Sequence, residues 1–165
     1  MKLYQLHSKQ ALPISQKKAW KFLSNPYNLK IITPKHMNFT VLSGVDRPMY
    51  AGQIITYSVS PFPFYSTKWV TEITHVKQGE YFVDEQRFGP YALWHHKHFL
   101  KPIEGGIEME DLIDYKLPFG FLGQLAHAPI VKKQLEFIFY YREQQLLQLF
   151  GKHVNGTQEL HFKSI

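Results

Sequence analysis

Alternation of apolar and polar residues dominates the first two thirds of the chain and predicts β-strands. The segment 3–12 alternates in this way, and Pro13 ends it. Six further segments follow, separated by turn-forming residues such as Ser43-Gly44, Gln78-Gly79 and Glu104-Gly105-Gly106. These predicted strands are 37–43, 53–59, 66–76, 81–87, 92–101 and 107–115. Because successive strands are joined by short links, the pattern favours an antiparallel sheet of seven strands.

Two short helices are predicted between the first and the second strand. Ser15 is suited to cap the first helix at its N-terminus, and Pro26 is suited to the first turn of the second. Pro34 ends the second helix, since proline disfavours helical geometry in the residue before it.

A long helix is predicted near the C-terminus, from Pro129 to Phe150, with Gly151 ending it. Its apolar residues recur at the spacing of a helix and form one broad stripe. The segment 118–123 contains one proline and two glycines, which indicate a loop before the helix. The final segment, 152–165, has the composition of a polar tail, and we expect it to be loosely held.

The order of these elements predicts one α+β domain over residues 1–151, followed by the tail 152–165. A long helix with an apolar stripe must bury that stripe, and a sheet with one apolar face is the available partner. We therefore expect a curved seven-stranded antiparallel sheet around the long C-terminal helix, with two short helices beside it. A sheet curved in this way encloses an apolar cavity large enough for a ligand.

Composition narrows the classes of function. The chain of 165 residues has 13 Phe, 10 Tyr and 3 Trp, which suit either a packed core or a pocket walled by rings. It has no cysteine, which excludes disulfides, thiolate catalysis and cysteine-based zinc sites. The N-terminal segment has no continuous apolar run, and no segment approaches the ~18 consecutive apolar residues of a membrane span. We therefore expect a cytoplasmic protein.

The net charge of +6 raises the question of nucleic-acid binding, but the Lys and Arg residues are scattered along the chain. We expect no nucleic-acid partner. Two loops, 60–65 and 116–122, are unusually apolar for loops. They are expected either to pack over the end of the sheet, to cover the cavity as a lid, or to make a transient contact with a membrane or a partner.

Several motifs resemble one superfamily. They are Phe88-Gly89-Pro90-Tyr91, Trp94-His95-His96-Lys97-His98, Met109-Glu110-Asp111, Tyr115-Lys116-Leu117-Pro118-Phe119-Gly120 and, on the long helix, Ile138-Phe139-Tyr140-Tyr141-Arg142. With the order of elements, they resemble the SRPBCC superfamily (START, Bet v 1, polyketide cyclase and CoxG-like proteins), and more narrowly its bacterial ligand-binding members. The resemblance covers about residues 3–150. It implies the helix-grip fold with an internal cavity for hydrophobic ligands, and it leaves the function open, since members include carriers, receptors and cyclases.

Strand alternation predicts which polar side chains face the cavity. The charge of Lys97 places the odd positions of its strand outside, so His96 and His98 face inward. The same reasoning places Asp84 and Asp111 on the inner face. If the hairpin between the predicted strands 92–101 and 107–115 turns at Glu104-Gly105, His98 lies opposite Asp111. If the preceding hairpin turns about residues 89–91, His96 lies opposite Asp84, and opposed side chains are ~5 Å apart.

Three interpretations of these two His–Asp pairs stay open. They are structural pairs that satisfy each other and fix the register, polar anchors for a ligand, or a catalytic set in which a histidine is a general base oriented by its carboxylate. The candidate catalytic residues are therefore His96, His98, Asp84 and Asp111. The set His96, His98 and Asp111 also has the composition of a metal site. We nevertheless expect no metal and no cofactor.

The remaining inward positions are the candidate ligand-binding residues. They are Tyr57, Trp69, Phe82, Gln86, Phe88, Trp94, Met109, Ile113, Tyr115, Leu135, Ile138, Phe139 and Arg142. For Arg142 there are three alternatives: an anchor for an acidic ligand, a side chain that extends its charged end toward the rim, and a partner for a carboxylate of the protein. The predicted function is binding of a small hydrophobic ligand, lipid-, polyketide- or aromatic-like, as a carrier or sensor. The alternatives are an enzyme of the cyclase or dehydratase type and a protein-interaction module with a closed core.

Overall fold

An antiparallel sheet and a long C-terminal helix form the fold of residues 2–62 and 64–165, which the computed structural model describes. Pro63, part of the predicted turn Pro61-Phe62-Pro63, lies outside the described residues. The strands are β1 Tyr4–Leu12, β2 Thr40–Ser43, β3 Gln53–Phe62, β4 Tyr65–Lys77, β5 Tyr81–Phe88, β6 Leu93–Ile103, β7 Gly106–Lys116 and β8 Gln158–Ser164. Their order in the open, curved sheet is β2-β3-β4-β5-β6-β7-β1-β8. The α+β class and the curved antiparallel sheet are thus confirmed.

Helices lie between β1 and β2 and between β7 and β8. The first helix, α1 (Gln16–Leu23), begins at Ser15, whose hydroxyl accepts a hydrogen bond from the backbone N–H of Lys18, as predicted. Two short 3₁₀-helices follow, Pro26–Lys30 and Lys35–Met37. After β7 come α2 (Gly120–Ala126), a π-helical turn (His127–Lys132) and α3 (Lys133–Phe150). Among the described residues, no helix combines the length and the hydropathy needed to cross a membrane.

The helical region begins earlier than the sequence predicts, at Gly120 instead of Pro129. Pro129 lies within the π-helical turn, whose wider ring of hydrogen bonds accommodates a residue that has no N–H to donate. The sequence predicts that Gly123 belongs to a loop, but this glycine lies within α2. Close packing, and not a turn, requires glycine at this position. A Cβ atom at Gly123 would collide with the carbonyl oxygen of Pro118, so glycine permits the close approach of the preceding loop.

The C-terminal segment contains an eighth strand, so the expectation of a loosely held tail and of seven strands is wrong. Strand β8 pairs with β1, placing Phe162 beside Leu6. Leu160 and Phe162 pack against the buried cluster that contains Leu6. His153 is buried as well, and its Nε2 lies 2.9 Å from the carbonyl oxygen of Glu104. The physical reason is that the edge of β1 opposite β7 offers unpaired backbone groups, and the neighbouring apolar cluster offers surface, to a short segment with alternating apolar residues.

The apolar residues of the helix pack mainly against one half of the sheet. Leu135 and Phe139 join a cluster with Ile113 and Tyr115 of β7. Leu146 joins a second cluster, formed with β1, β6, β7 and α1. A third cluster, centred on Ile55, Tyr57 and Ile73 of β3 and β4, contains no described residue of α3. The concave face of β3, β4 and β5 is therefore left free to border a cavity.

Replacing Leu160 and Phe162 together by alanine tests the role of β8. Both side chains are half-buried, so their loss should lower the free energy of unfolding by about 2–4 kcal/mol. Urea unfolding followed by circular dichroism measures the change. His161→Ala, on the exposed face of the same strand, is the control and should change it by less than about 0.5 kcal/mol. A double variant as stable as the wild type would show that the segment is held only loosely.

Candidate functional site

A cavity of about 690 Å³ lies between the concave face of the sheet and the helices α2 and α3. Its walls come from β3 to β6, from the 3₁₀-helices and from the helical region after Gly120. Most of the lining side chains are aromatic or aliphatic. The polar exceptions are gathered mainly on β4, β5, β6 and α3: Thr71, Asp84, His96, His98, Gln134 and Arg142.

The structure brings most of the predicted ligand-binding residues to this cavity. Those that line it are Tyr57, Trp69, Phe82, Trp94, Leu135, Ile138, Phe139 and Arg142. Met109, Ile113 and Tyr115 do face inward, but they lie in the core beneath α1 and α3 and do not line the cavity. The hydroxyl of Tyr115 is 2.7 Å from Nε2 of His127.

Two of the predicted ligand-binding residues, Gln86 and Phe88, do not line the cavity, and for Phe88 the cause is a β-bulge in β5. Thr71 pairs with Gln86 and Val70 with Phe88, so Arg87 is an extra residue in β5. The expectation that Phe88 faces inward is wrong, since it is 73% exposed. Gln86 supports the cavity wall indirectly. Its amide donates to the carbonyl oxygen of Tyr91 at 2.7 Å, and its carbonyl accepts from the Tyr91 N–H at 3.2 Å.

Several lining residues were not among the predicted site residues. They include Met37, Phe39, Met49, Tyr91, Ile130 and Val131. Tyr91 belongs to the Gly-Pro-Tyr motif, which was the available signal for it. The two segments predicted as apolar loops also border the cavity, although Phe62 and Tyr65 of the first lie at the ends of β3 and β4; Phe119 of the second lies on the other side. Phe119 is 82% exposed, which places it at the rim.

The four candidate catalytic residues meet at one place on the sheet. Asp84 is paired with His96 across β5 and β6, and His98 with Asp111 across β6 and β7. Both register predictions are therefore confirmed. Asp84, His96 and His98 line the cavity, whereas Asp111 lies behind them and is 1% exposed. Arg142 reaches the same carboxylate from α3.

The side-chain contacts of this cluster cross between the two pairs. Asp111 Oδ1 is 2.9 Å from His96 Nε2 and 2.8 Å from His98 Nδ1. Asp111 Oδ2 accepts a hydrogen bond from Arg142 Nη1 at 3.0 Å. Asp84 Oδ2 is 2.7 Å from His98 Nε2 but 3.8 Å from His96 Nδ1. The last distance exceeds a hydrogen bond, so His96 Nδ1 has no hydrogen-bond partner in the described part of the chain.

The two histidines differ in charge although their rings are only 3.6 Å apart between centroids. Burial alone would lower the pKa of His98, but the carboxylates of Asp111 and Asp84 outweigh it and raise the pKa. Burial and then the neighbouring His98 lower the pKa of His96 to about 4, against the opposing effect of Asp111. Both ring nitrogens of His98 face carboxylate oxygens, which is the arrangement of a protonated imidazole, whereas His96 is a neutral imidazole that donates through Nε2.

Both carboxylates of the cluster stay ionised. Burial would raise the pKa of Asp111, but the charge of Arg142 and the bonds of His96 and His98 hold it well below its usual value. Burial would likewise raise the pKa of Asp84, but the hydrogen bond with His98 and the proximity of His96 outweigh it and lower this pKa. Two carboxylates thus face two cations, His98 and Arg142, so the buried cluster has no net charge.

The charge of Arg142 is used within the protein. Its guanidinium pairs with Asp111 and lies 5.0 Å from the ring centre of Phe139, as the carboxylate-partner alternative predicts. Within residues 2–62 and 64–165, Arg142 Nε is a buried side-chain nitrogen that lacks a hydrogen-bond partner. Arg142 therefore holds Asp111 in place and is a weak candidate for anchoring an acidic ligand.

The fold resembles solved structures over most of the chain. The Zhui aromatase/cyclase from Streptomyces sp. R1128 superposes with a TM-score of 0.70 at 9% identity, covering 89% of this chain and 93% of that protein. Protein CV1439 from Chromobacterium violaceum has a TM-score of 0.68 at 14% identity, covering 90% and 99%. Major latex-like protein 151 from Panax ginseng has 0.65 at 10% identity, covering 90% and 97%.

These similarities establish the fold and go no further, because the identities are low. The neighbours have SRPBCC-type folds, so the resemblance drawn from the motifs is confirmed at the level of the fold. Neither a protein-family model nor a curated protein matches the chain by sequence. The chain therefore has the helix-grip fold, and its function must be argued from its own cavity and side chains.

Replacing Asp111 by asparagine tests the cluster. The change removes one of two buried negative charges and leaves Arg142 and His98 with one carboxylate between them, which should lower the free energy of unfolding by about 3 kcal/mol. Urea unfolding measures it. Asp114→Asn on the outer face of β7 removes a carboxylate bonded to Lys97 and should cost less than about 1 kcal/mol. Equal losses in the two variants would contradict this account of the cluster.

Proposed function

We propose that the protein binds a small hydrophobic molecule in the cavity between the sheet and α3, as a carrier or sensor. The observation that carries this proposal is the cavity itself, whose volume of about 690 Å³ lies in the range of small-molecule sites, ~300–1,000 Å³. A space of this size disfavours the alternative of an interaction module with a closed core, since protein interiors leave few voids larger than a water molecule.

The lining suggests how the ligand would lie. Aromatic side chains such as Tyr57, Trp69 and Trp94 offer flat apolar surface to a lipid-, polyketide- or aromatic-like body. One stretch of wall is polar, at Asp84 and His96. His96 lines the cavity, and its Nδ1 has a lone pair and no hydrogen-bond partner among the described residues. A hydroxyl or amide N–H of the ligand would donate a hydrogen bond to this nitrogen. Such a polar contact fixes the orientation of an otherwise apolar molecule.

The two apolar loops are proposed to form the mouth of the cavity. The side-chain amide of Gln134 on α3 donates to the carbonyl oxygen of Pro61, which fastens the loop 60–65 to the helix. Phe62 and Phe119 are both exposed while bordering the cavity. Exposed aromatic rings at an opening can contact a hydrophobic ligand as it enters the cavity, and they suit a transient contact with a membrane that supplies the ligand.

An enzyme of the cyclase or dehydratase type is the second candidate. The observation in its favour is that two imidazoles, those of His96 and His98, line the cavity and are oriented by buried carboxylates. The name of the Zhui aromatase/cyclase agrees with this candidate only through the shared fold. Carrier and enzyme differ in what becomes of the ligand, and this difference can be measured.

Filling the cavity should prevent binding. Ile138→Trp places an indole in the lining of α3 and should weaken the affinity for a dansyl-labelled fatty acid at least tenfold, because the space for the probe is removed. Fluorescence titration measures the dissociation constant. Leu149→Trp, at an exposed position of the same helix, adds the same ring outside the cavity and should bind as the wild type does. Equal affinities for all three proteins would refute binding in this cavity.

Native mass spectrometry of freshly purified protein, compared with a denatured sample, tests the function directly. A carrier should show a discrete extra mass that denaturation removes, and that mass should be reduced in Ile138→Trp. For a carrier, His96→Gln should retain the same molecule as the wild type. A dehydratase, or a cyclase whose ring closure is followed by loss of water, should instead release a different compound, and the molecule held by His96→Gln should be heavier than the wild-type molecule by one water. A ring closure without loss of water gives an isomer of the same mass, which chromatography of the released compound distinguishes. An identical bound mass in Ile138→Trp at equal occupancy would contradict both candidates.

A further inference from the structure

Three possible metal-binding atoms converge on the cavity wall at the polar cluster. His96, His98 and Asp84 each offer one such atom, and the three atoms lie within 4.8 Å of one another. The ring nitrogens nearest Asp84 are Nδ1 of His96 and Nε2 of His98. The two histidines are almost fully buried, so their ring positions are fixed by packing. The sequence pointed to Asp111 as the carboxylate of such a set, but Asp111 lies behind the two imidazoles. It is Asp84 that faces them from the cavity side.

Asp111 has the position of a supporting group. Its Oδ1 contacts Nε2 of His96 and Nδ1 of His98, the ring nitrogens on the side away from Asp84. A carboxylate in this position fixes which nitrogen of each ring carries its hydrogen and leaves the other nitrogen free to bind a metal. Arg142 holds the second oxygen of Asp111 and fixes this carboxylate in turn. Most proteins with histidine-bound metals have such an outer shell.

The spacing of the three atoms suits a small cation. Asp84 Oδ2 is 2.7 Å from His98 Nε2 and 3.8 Å from His96 Nδ1. Two ligands of a tetrahedral zinc ion, each ~2.0–2.1 Å from the metal, are about 3.3 Å apart. The observed distances lie on either side of that value, so small side-chain movements would complete the geometry. The free lone pair of His96 also faces a carboxylate oxygen, an arrangement that a cation between them would stabilise.

We infer that His96, His98 and Asp84 form a binding site for one divalent transition-metal ion of the zinc class, with a further coordination position open to the cavity. Two imidazoles and one carboxylate are a donor set that such ions accept. On binding, the ion displaces the proton shared between His98 Nε2 and Asp84, and that proton passes to solvent. The site then has a net charge of +1, since Asp84, Asp111 and Arg142 keep their charges.

The open position would give the cavity a defined polar end. An ion held by three protein ligands at the wall accepts a fourth ligand from the cavity, either water or an oxygen atom of a bound molecule. The positive charge favours a carboxylate, an enolate or a carbonyl oxygen over an amine at that position. A metal ion bound by these three residues would take the lone pair of His96 Nδ1 that is proposed above to accept from the ligand, and its binding can be measured without the hydrophobic ligand.

The test uses the full-length protein, stripped with a chelator and titrated with Zn²⁺ or Co²⁺ alone. We expect one Zn²⁺ per chain by calorimetry and elemental analysis, and with Co²⁺ a visible absorption band of the intensity typical of a four- or five-coordinate site. His96→Gln and Asp84→Asn should each lower the Zn²⁺ affinity at least a hundredfold. His95→Gln is the matched control, because His95 lies on the same strand but contacts Glu85 on the outer face.

Folding of the variants is checked separately by thermal unfolding with and without Zn²⁺. Zn²⁺ should raise the melting temperature of the wild type and of His95→Gln but not that of folded His96→Gln. Absence of stoichiometric binding by the wild type would overturn the inference and leave the cluster as a set of hydrogen-bonded pairs. Binding that survives in His96→Gln and Asp84→Asn but is lost in His95→Gln would also overturn it, and would assign the ion to surface histidines.

Discussion

The burial of one carboxylate, that of Asp111, constrains the structure around it. Taken out of water without partners, an ionised carboxylate would be costly in the interior of a domain. Both of its oxygens are matched by positive or donating groups, Oδ1 by His96 and His98 and Oδ2 by Arg142. These partners come from the neighbouring strand β6 and from α3. The register of the sheet and the position of the helix above it are therefore tied to a single charge.

The cavity follows from where the helix packs. Clusters with Leu135, Phe139 and Leu146 bind α3 to the half of the sheet that contains β1 and β7. The apolar side chains of β3 and β4 cannot reach the helix from the other half, and they line open space instead. The polar cluster lies at the border between these halves. A bound molecule would thus lie against both the exposed apolar rim and the buried, hydrogen-bonded polar cluster.

Much of this arrangement could be predicted from the sequence, because strand alternation and turn position are local properties. The turn at Glu104-Gly105 fixes the pairing of β6 with β7, and from it the pairing of His98 with Asp111 follows. The hydrogen bonds could not be derived in this way. Diagonal neighbours on a sheet are within reach of long side chains, so His96 contacts Asp111 as well as facing Asp84.

Other features depend on residues far apart in the chain or on one irregular position. The extra residue Arg87 turns Phe88 outward, and the alternation of apolar and polar residues in β5 does not predict this bulge. Strand β8 has only Leu160 and Phe162 as apolar residues, and its partner β1 is at the opposite end of the sequence. Local rules also placed the start of the long helix at Pro129, although the helical region begins at Gly120, where Gly123 allows the close approach of the loop at Pro118.

The position of the first strand, between two strands that come much later in the chain, has a consequence for the order of folding. Strand β1 lies between β7 and β8, so Tyr4 is joined to Tyr115 on one side and to Ser164 on the other. Tyr4 precedes Tyr115 by 111 residues and Ser164 by 160 residues. A ribosome therefore makes β1 long before either neighbour, and the hydrogen bonds of β1 form only after those strands have followed. Pairings of such long sequence separation slow the search for the native state. During synthesis the apolar face of β1 is therefore a surface that chaperones would protect.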